Sequence, residues 1–250
     1  MNHKCLFITL ALSGLFPIQV SAEALTFSVD GNEGGRLKQK SISQFEHYMA
    51  INHCPLTVIN PSQLKDKSQS IDLFFSVQPN ASLTKPGKHY EVINKAVYQD
   101  GLPLTITILI NTSTGINDLA SVQGERLAII SHRSLLGGKQ TKALLADVGV
   151  VLSNDDIYET GNYLGAMSLL LHGDVFIAAI PGPLARRWQT HNNLSIIAES
   201  EAFELGEILI KRSIKQALKD NCRRAFSSLN KDNRRDKKLG IFPAWLMGFE

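Results

Sequence analysis

Ile71-Asp72-Leu73-Phe74-Phe75-Ser76-Val77 is short and nearly all apolar, the signature of a strand buried on both faces of a sheet. Reading upstream from it, Pro55–Ile59 (Pro-Leu-Thr-Val-Ile) is a second strand and Leu25–Val29 a third. Ile42–Ile51 between those two has a helical period, and Ser62–Lys67 makes a short polar helix or turn. Strand, helix, strand, helix, strand within about 55 residues predicts an α/β fold with largely parallel strands.

Downstream, Glu91–Tyr98 and Leu104–Asn111 are two extended segments, with the turn pair Asp100-Gly101 between them. They read as long strands that cross from one unit to another. A second series then repeats the first: strand Leu127–Ser131, helix Lys139–Val148 ended by Gly149, helix Tyr163–His172 ended by Gly173, and strands Val175–Ile180 and Ser195–Ala198. Glu207–Lys211 is strand-like. Ile214–Leu229 follows as an amphipathic helix, with Ser213 as its expected cap and Lys215, Lys219, Arg223 and Arg224 on its outer face.

Met1–Ala22 has the parts of a cleavable secretory leader: basic Lys4, an apolar run Cys5–Val20, and small Ser21-Ala22 before Glu23. The run is broken by Ser13, Gly14 and Pro17, too short for a stable membrane span, which needs about 20 apolar residues. Export to the periplasm is expected. Without the leader the net charge of +3 falls to about +2, so bulk electrostatics favour neither nucleic acid nor membrane. Residues 211–238 hold 11 basic and 3 acidic side chains, a local patch that supports an alternative: an exported binder of anionic polymer or envelope surface. Cys54 and Cys222 remain after cleavage, in a compartment where disulfides persist. The residues alone leave two readings, a bridge or, for Cys222 on the stripe Ile214, Leu218, Cys222, Ala225, Leu229, a small buried hydrophobe.

Chemistry-bearing motifs are few. No Cys-x-x-Cys or His-Glu-x-x-His spacing suggests a metal, no cofactor motif occurs, and no Gly-x-Ser-x-Gly supports a hydrolytic nucleophile. An enzyme is therefore not expected. Ser131-His132-Arg133-Ser134-Leu135-Leu136-Gly137-Gly138 instead lies between a buried strand and a helix, where α/β sheets hold ligands on unpaired N–H groups. Thr160-Gly161-Asn162-Tyr163 has the same character. Ser134, Leu135, Gly137, Gly138, Gly161, Asn162 and Tyr163 are the candidate ligand contacts, with Ser76 at the end of the third strand.

The chain resembles the type 2 periplasmic binding proteins, specifically the phosphonate/phosphate/phosphite-binding family of ABC transporters. The likeness runs through Ser70-Ile71-Asp72-Leu73-Phe74-Phe75, Asp118–Ala128, Ser134-Leu135-Leu136-Gly137, Thr160-Gly161-Asn162-Tyr163, Leu171-His172-Gly173-Asp174-Val175 and Gly248-Phe249. It implies two α/β lobes around a central ligand cleft, joined by two hinge strands: residues 23–102 with 200–250 in one lobe, 103–199 in the other. It also implies a monomer that passes a small solute, anionic in the family, to an ABC permease or a membrane sensor. A C-terminal helix returning to the first lobe would bring Cys222 toward Cys54. In the family a Ser-x-Ser-Gly turn and a Gly-Ser-His helix start hold the ligand's oxygens, helped by an acid. Here Leu136 stands for the second serine, Tyr163 for the histidine and Phe176 for the acid, so the solute is expected to have diverged.

Overall fold

A computed structural model of the chain describes residues 24–29, 38–59, 71–77, 89–98, 101–230 and 238–250. The leader and the Ser62–Lys67 turn lie outside these residues. The first lobe opens with β1 (Leu25–Val29), helix α1 (Gln39–Ile51), β2 (Leu56–Val58), β3 (Leu73–Ser76) and β4 (Tyr90–Tyr98). The chain then crosses into a second sheet at β5 (Ile106–Asn111), followed by β6 (Leu127–Ile129), a π-helical turn Leu135–Gln140 leading into α2 (Thr141–Ala146), and β7 (Ile157–Glu159). Helix α3 (Tyr163–His172), β8 (Ile177–Pro181), α4 (Gly182–Gln189) and β9 (Leu194–Glu199) complete that lobe. A second crossing returns the chain to the first sheet through β10 (Glu207–Lys211), α5 (Gln216–Ser227) and β11 (Leu246–Phe249).

The two sheets share one logic. The first has the order β11-β4-β10-β3-β1-β2 and the second β7-β6-β8-β5-β9. In each, the first strand after a crossing inserts antiparallel between two others: β5 between β8 and β9, β10 between β3 and β4. Edge strand β11 also pairs antiparallel with β4, and only β1–β2, β1–β3, β6–β7 and β6–β8 are parallel, so both sheets are mixed where the apolar runs suggested largely parallel ones.

The cores differ in character. Helix α1 buries Phe45, Tyr48 and Met49, spaced as one helical stripe, against an aromatic cluster of Phe27, Phe75, Phe226, Phe242 and Phe249 with neighbouring ring centroids 5.1–6.1 Å apart. The second lobe packs aliphatic Ile106, Ile108, Leu127, Leu136, Met167, Leu170, Ile177 and Ile180. Cys54, two residues before β2, is bonded to Cys222 on α5, so the C-terminal helix is covalently tied to the N-terminal half of the first lobe.

Several local expectations need correction. Lys219 does not lie on the outer face of α5: it is 6% exposed and its Nζ donates to Glu91 Oε1 at 2.6 Å and Arg212 O at 2.8 Å. It shares the buried stripe of Cys222 and Phe226, where its aliphatic stem packs and only the ammonium needs a partner. Nor does Ser213 cap the helix. Ile214 N closes a turn on Lys211 O, and α5 begins only after Lys215. The helix expected over Lys139–Val148 begins earlier, at Leu135, capped by Ser134, whose Oγ accepts from Gly137 N at 2.8 Å. Helix α4 has no counterpart in the sequence reading, because Pro181-Gly182-Pro183 looks like a breaker; proline in a first helical turn starts a helix instead.

Candidate functional site

Parallel β6 and β8 end on the same edge of the second sheet, and that edge is where both crossings enter. Ile106 at the start of β5 pairs with Pro181 at the end of β8, and Thr107 pairs with Glu199 at the end of β9. The segments that leave this edge are Ser131–Gly138 after β6, Thr160–Tyr163 after β7 and Gly182 after β8. The matching edge of the first lobe lies at Val29, Val58 and Val77, and residues 30–37, 60–70 and 78–88 are outside the described residues. Ser76 sits at this edge, opposite Glu207, and is 2% exposed.

The expected contact residues of the second lobe come together, but most face inward. Ser134 is fully buried and Tyr163 is 3% exposed. Leu136 is fully buried as well, and Leu135 half-buried. Gly137 and Gly138 belong to the first turn of the helix instead of a loop before it, and both are buried. A Cβ on Gly138 would stand 2.4 Å from Ser131 O and 2.7 Å from His132 O, so the close approach here is to the chain's own turn. Gly161 and Asn162 are exposed; Asn162 caps α3, its Oδ1 accepting from Gly165 N at 2.8 Å. Phe176 lies just before β8, next to Arg126 at the start of β6, whose guanidinium stands 5.3 Å from the ring. It is thus at the amino ends of the strands, the opposite edge from Ser134 and Tyr163, and cannot stand for an acid beside them.

Reading the sequence missed two polar clusters on this edge. Glu159, the last residue of β7, accepts a hydrogen bond from His132 N, and its Oε1 lies 3.8 Å from His132 Nε2. Glu199 accepts from Thr105 Oγ1 at 2.6 Å and from both terminal nitrogens of Arg186. The Arg186 hydrogen bonds hold the Glu199 carboxyl below its usual range, against the opposing push of burial. Both glutamates end strands, the one signal that could have drawn attention to them. Where the crossings leave the first lobe, Tyr98 OH donates to Leu205 O and accepts from Leu205 N; burial pushes its phenol up. Leu104 and Phe203 bridge the two crossings between these ties.

The basic C-terminal segment is largely committed internally where it is described. Lys211 pairs with Asp72 at 2.7 Å, Lys219 and Arg212 with Glu91, and Arg223 with Asp220. Burial alone would raise the Asp72 carboxyl, but hydrogen bonds from Lys211 and Thr26 together outweigh it and lower it. Among the described residues no group of His, Cys, Asp and Glu side chains could hold a metal ion, and no helix is long and apolar enough to cross a membrane.

Two α/β lobes, two crossings pinned at each end, and strand-end loops turned toward the crossings define a two-lobed periplasmic binding protein. The chain belongs to the family of periplasmic substrate-binding proteins of phosphonate ABC transporters, whose profile matches residues 67–250. The family consists of substrate-binding transport proteins, not enzymes; its members are periplasmic and deliver small molecules to an ABC permease. No curated protein sequence matches the chain. Solved structures share its fold at low identity. A phosphonate-transporter binding protein of Pseudomonas aeruginosa superposes with a TM-score of 0.63 at 13% identity, over 91% of this chain and 80% of that one. PhnD1 of Prochlorococcus marinus, in complex with methylphosphonate, gives 0.59 at 11% identity over 91% and 92%. XAC2383 of Xanthomonas citri, bound to chloride, gives 0.61 at 13% over 92% and 91%.

Proposed function

We propose that this protein is exported, loses its leader before Glu23, and works as a monomer in the periplasm. There it binds a small solute between its lobes for an ABC permease or a membrane sensor. We also propose that the solute is not free phosphate or a simple phosphonate. The observation that carries this is the burial of Ser134, Leu136 and Tyr163, at 0%, 0% and 3% exposure. These positions resemble the family's oxyanion-holding side chains, and here two are no longer hydrogen-bonding equivalents while Ser134 Oγ caps a helix. A phosphonate that finds these side chains turned into the core forgoes hydrogen bonds worth about 1.5–3 kcal/mol each, so two together weaken its site by orders of magnitude.

A thermal-shift screen of the mature protein tests it, with phosphate, phosphite, methylphosphonate, amino acids and small aromatic acids as probes. A ligand at 100 times its dissociation constant adds about 2.7 kcal/mol, a readily seen shift. The expected result is no shift with millimolar phosphate or methylphosphonate and a saturable shift with a probe from another class. Submicromolar binding of methylphosphonate overturns the divergence. Mass spectrometry of the periplasmic protein reads the cleavage point directly.

A further inference from the structure

We infer that Glu159 is a specificity-determining residue, whose carboxylate occupies the backbone seat that an oxyanion would take at the second-lobe edge and so selects against multiply charged anions. The inference deepens the proposed function and rests on the cleft lying at this edge. The Ser131–Gly138 turn follows a buried parallel strand and leads into a helix, the arrangement that elsewhere turns N–H groups toward a bound anion. Several N–H groups of this segment already have acceptors in this chain. His132 N donates to Glu159 Oε1, Gly137 N to Ser134 Oγ and Lys139 N to Ser134 O.

Several N–H groups of the neighbouring segment are taken up as well. Thr160 N and Gly161 N continue the strand pairing onto Ile129 O and Ile130 O, and Gly165 N is held by Asn162 Oδ1. Of these acceptors only Glu159 brings a charge, and it is an exposed one, with 46% of its side chain open to solvent. A hydrogen bond from an amide to a carboxylate is charge-assisted, so a ligand oxygen must compete with it directly. The ligand must also sit near a like charge. Two unit charges about 6 Å apart at a partly screened protein surface repel enough to cost one to two orders of magnitude in affinity, and a dianion suffers twice. A neutral or singly charged solute escapes most of this, so the solute class implied is one without a free dianionic group.

Calorimetric titration with inorganic phosphate and with methylphosphonate decides it, on wild type, Glu159→Gln and Glu159→Ala. Glutamine keeps an acceptor for His132 N and removes only the charge; alanine also vacates the amide. Glu159 lies on an edge strand and is exposed, and a melting curve for each variant confirms that it is folded. The expected order of affinity is wild type below Glu159→Gln below Glu159→Ala, with at least a tenfold gain at the first step that shrinks at 1 M salt. If wild type binds phosphate weakly and neither variant gains, the role of Glu159 is wrong while the divergence of the solute stands. Submicromolar phosphate binding by wild type sinks both.

Discussion

Arg186 grips Glu199 with two parallel hydrogen bonds, Nη1 to Oε2 at 3.0 Å and Nη2 to Oε1 at 2.9 Å. Glu199 ends β9, just before the return crossing. Thr105, which donates to the same carboxylate, ends the outward crossing. One side chain therefore ties both crossings to α4 where they meet the second lobe, as Tyr98 and Leu205 tie them at the first.

Replacing Glu199 by Gln should lower stability by about 1 kcal/mol at pH 7, a value held down because both side chains are about one-third exposed. The pH dependence has a definite sign. The folded carboxyl is lowered, so its contribution is full above the unfolded glutamate value of about 4.3 and is lost as pH falls through the lower folded value. Melting temperatures of wild type and Glu199→Gln should differ at pH 7 and converge once acid protonates Glu199 in the folded chain. A gap that persists in acid would mean that the pair acts by packing alone.

The two adjacent glycines of the Leu135–Gln140 turn should respond differently to alanine. A Cβ on Gly138 meets the backbone oxygens of Ser131 and His132 at 2.4 and 2.7 Å, and backbone cannot swing aside. On Gly137 the nearest atom is the Ile130 side chain at 3.1 Å, which can give. Gly138→Ala should cost at least about 2 kcal/mol and Gly137→Ala less than about 1, read from urea unfolding.

Leu136→Ser separates inherited position from present environment. Leu136 is fully buried in the aliphatic core of the second lobe, so serine there leaves a cavity and a hydroxyl that must find a partner. The variant should lose about 2–5 kcal/mol of stability and gain no affinity for phosphate. A phosphate affinity raised tenfold would place this side chain in the cleft after all.

The larger architecture was legible because its signals are strong. Apolar runs such as Ile71–Val77 and Val175–Ile180 mark interior strands, each with one parallel and one antiparallel neighbour, and the repeat of the strand–helix series marks the second lobe. Three-residue β7 carries too little pattern to be seen, and α4 hides behind two prolines. Burial direction was less legible still. Whether Ser134 and Tyr163 point to solvent or inward depends on helix phase; for Ser134 an early π-helical start displaced the helix from the expected Lys139, while Tyr163 turns inward from a helix that starts where expected. Glu159 and Glu199 carry no motif; only the register of β7 against β6, and of β9 against β5, brings them to their partners.

The Cys54–Cys222 bridge offers the most direct test of the first lobe. The two cysteines are 168 residues apart, and the loop they close contains the whole second lobe and both crossings. Closing a loop longer than about 100 residues removes much denatured-state entropy, and removing such a bond usually costs about 2–5 kcal/mol. Because both sulfurs are fully buried, alanine also leaves a small gap there, which adds to that loss. Thiol titration of denatured, unreduced protein should find none of the mature chain's cysteines free. The Cys54→Ala, Cys222→Ala double variant should unfold at lower urea with about 2–4 kcal/mol less stability, and reductant should lower the wild-type melting temperature without affecting the variant. Two free thiols per chain, or a variant as stable as wild type, would leave the C-terminal helix held to α1 and β1 by the Phe27, Phe45 and Phe226 cluster and the Tyr48 hydroxyl's bond to Ala225 O.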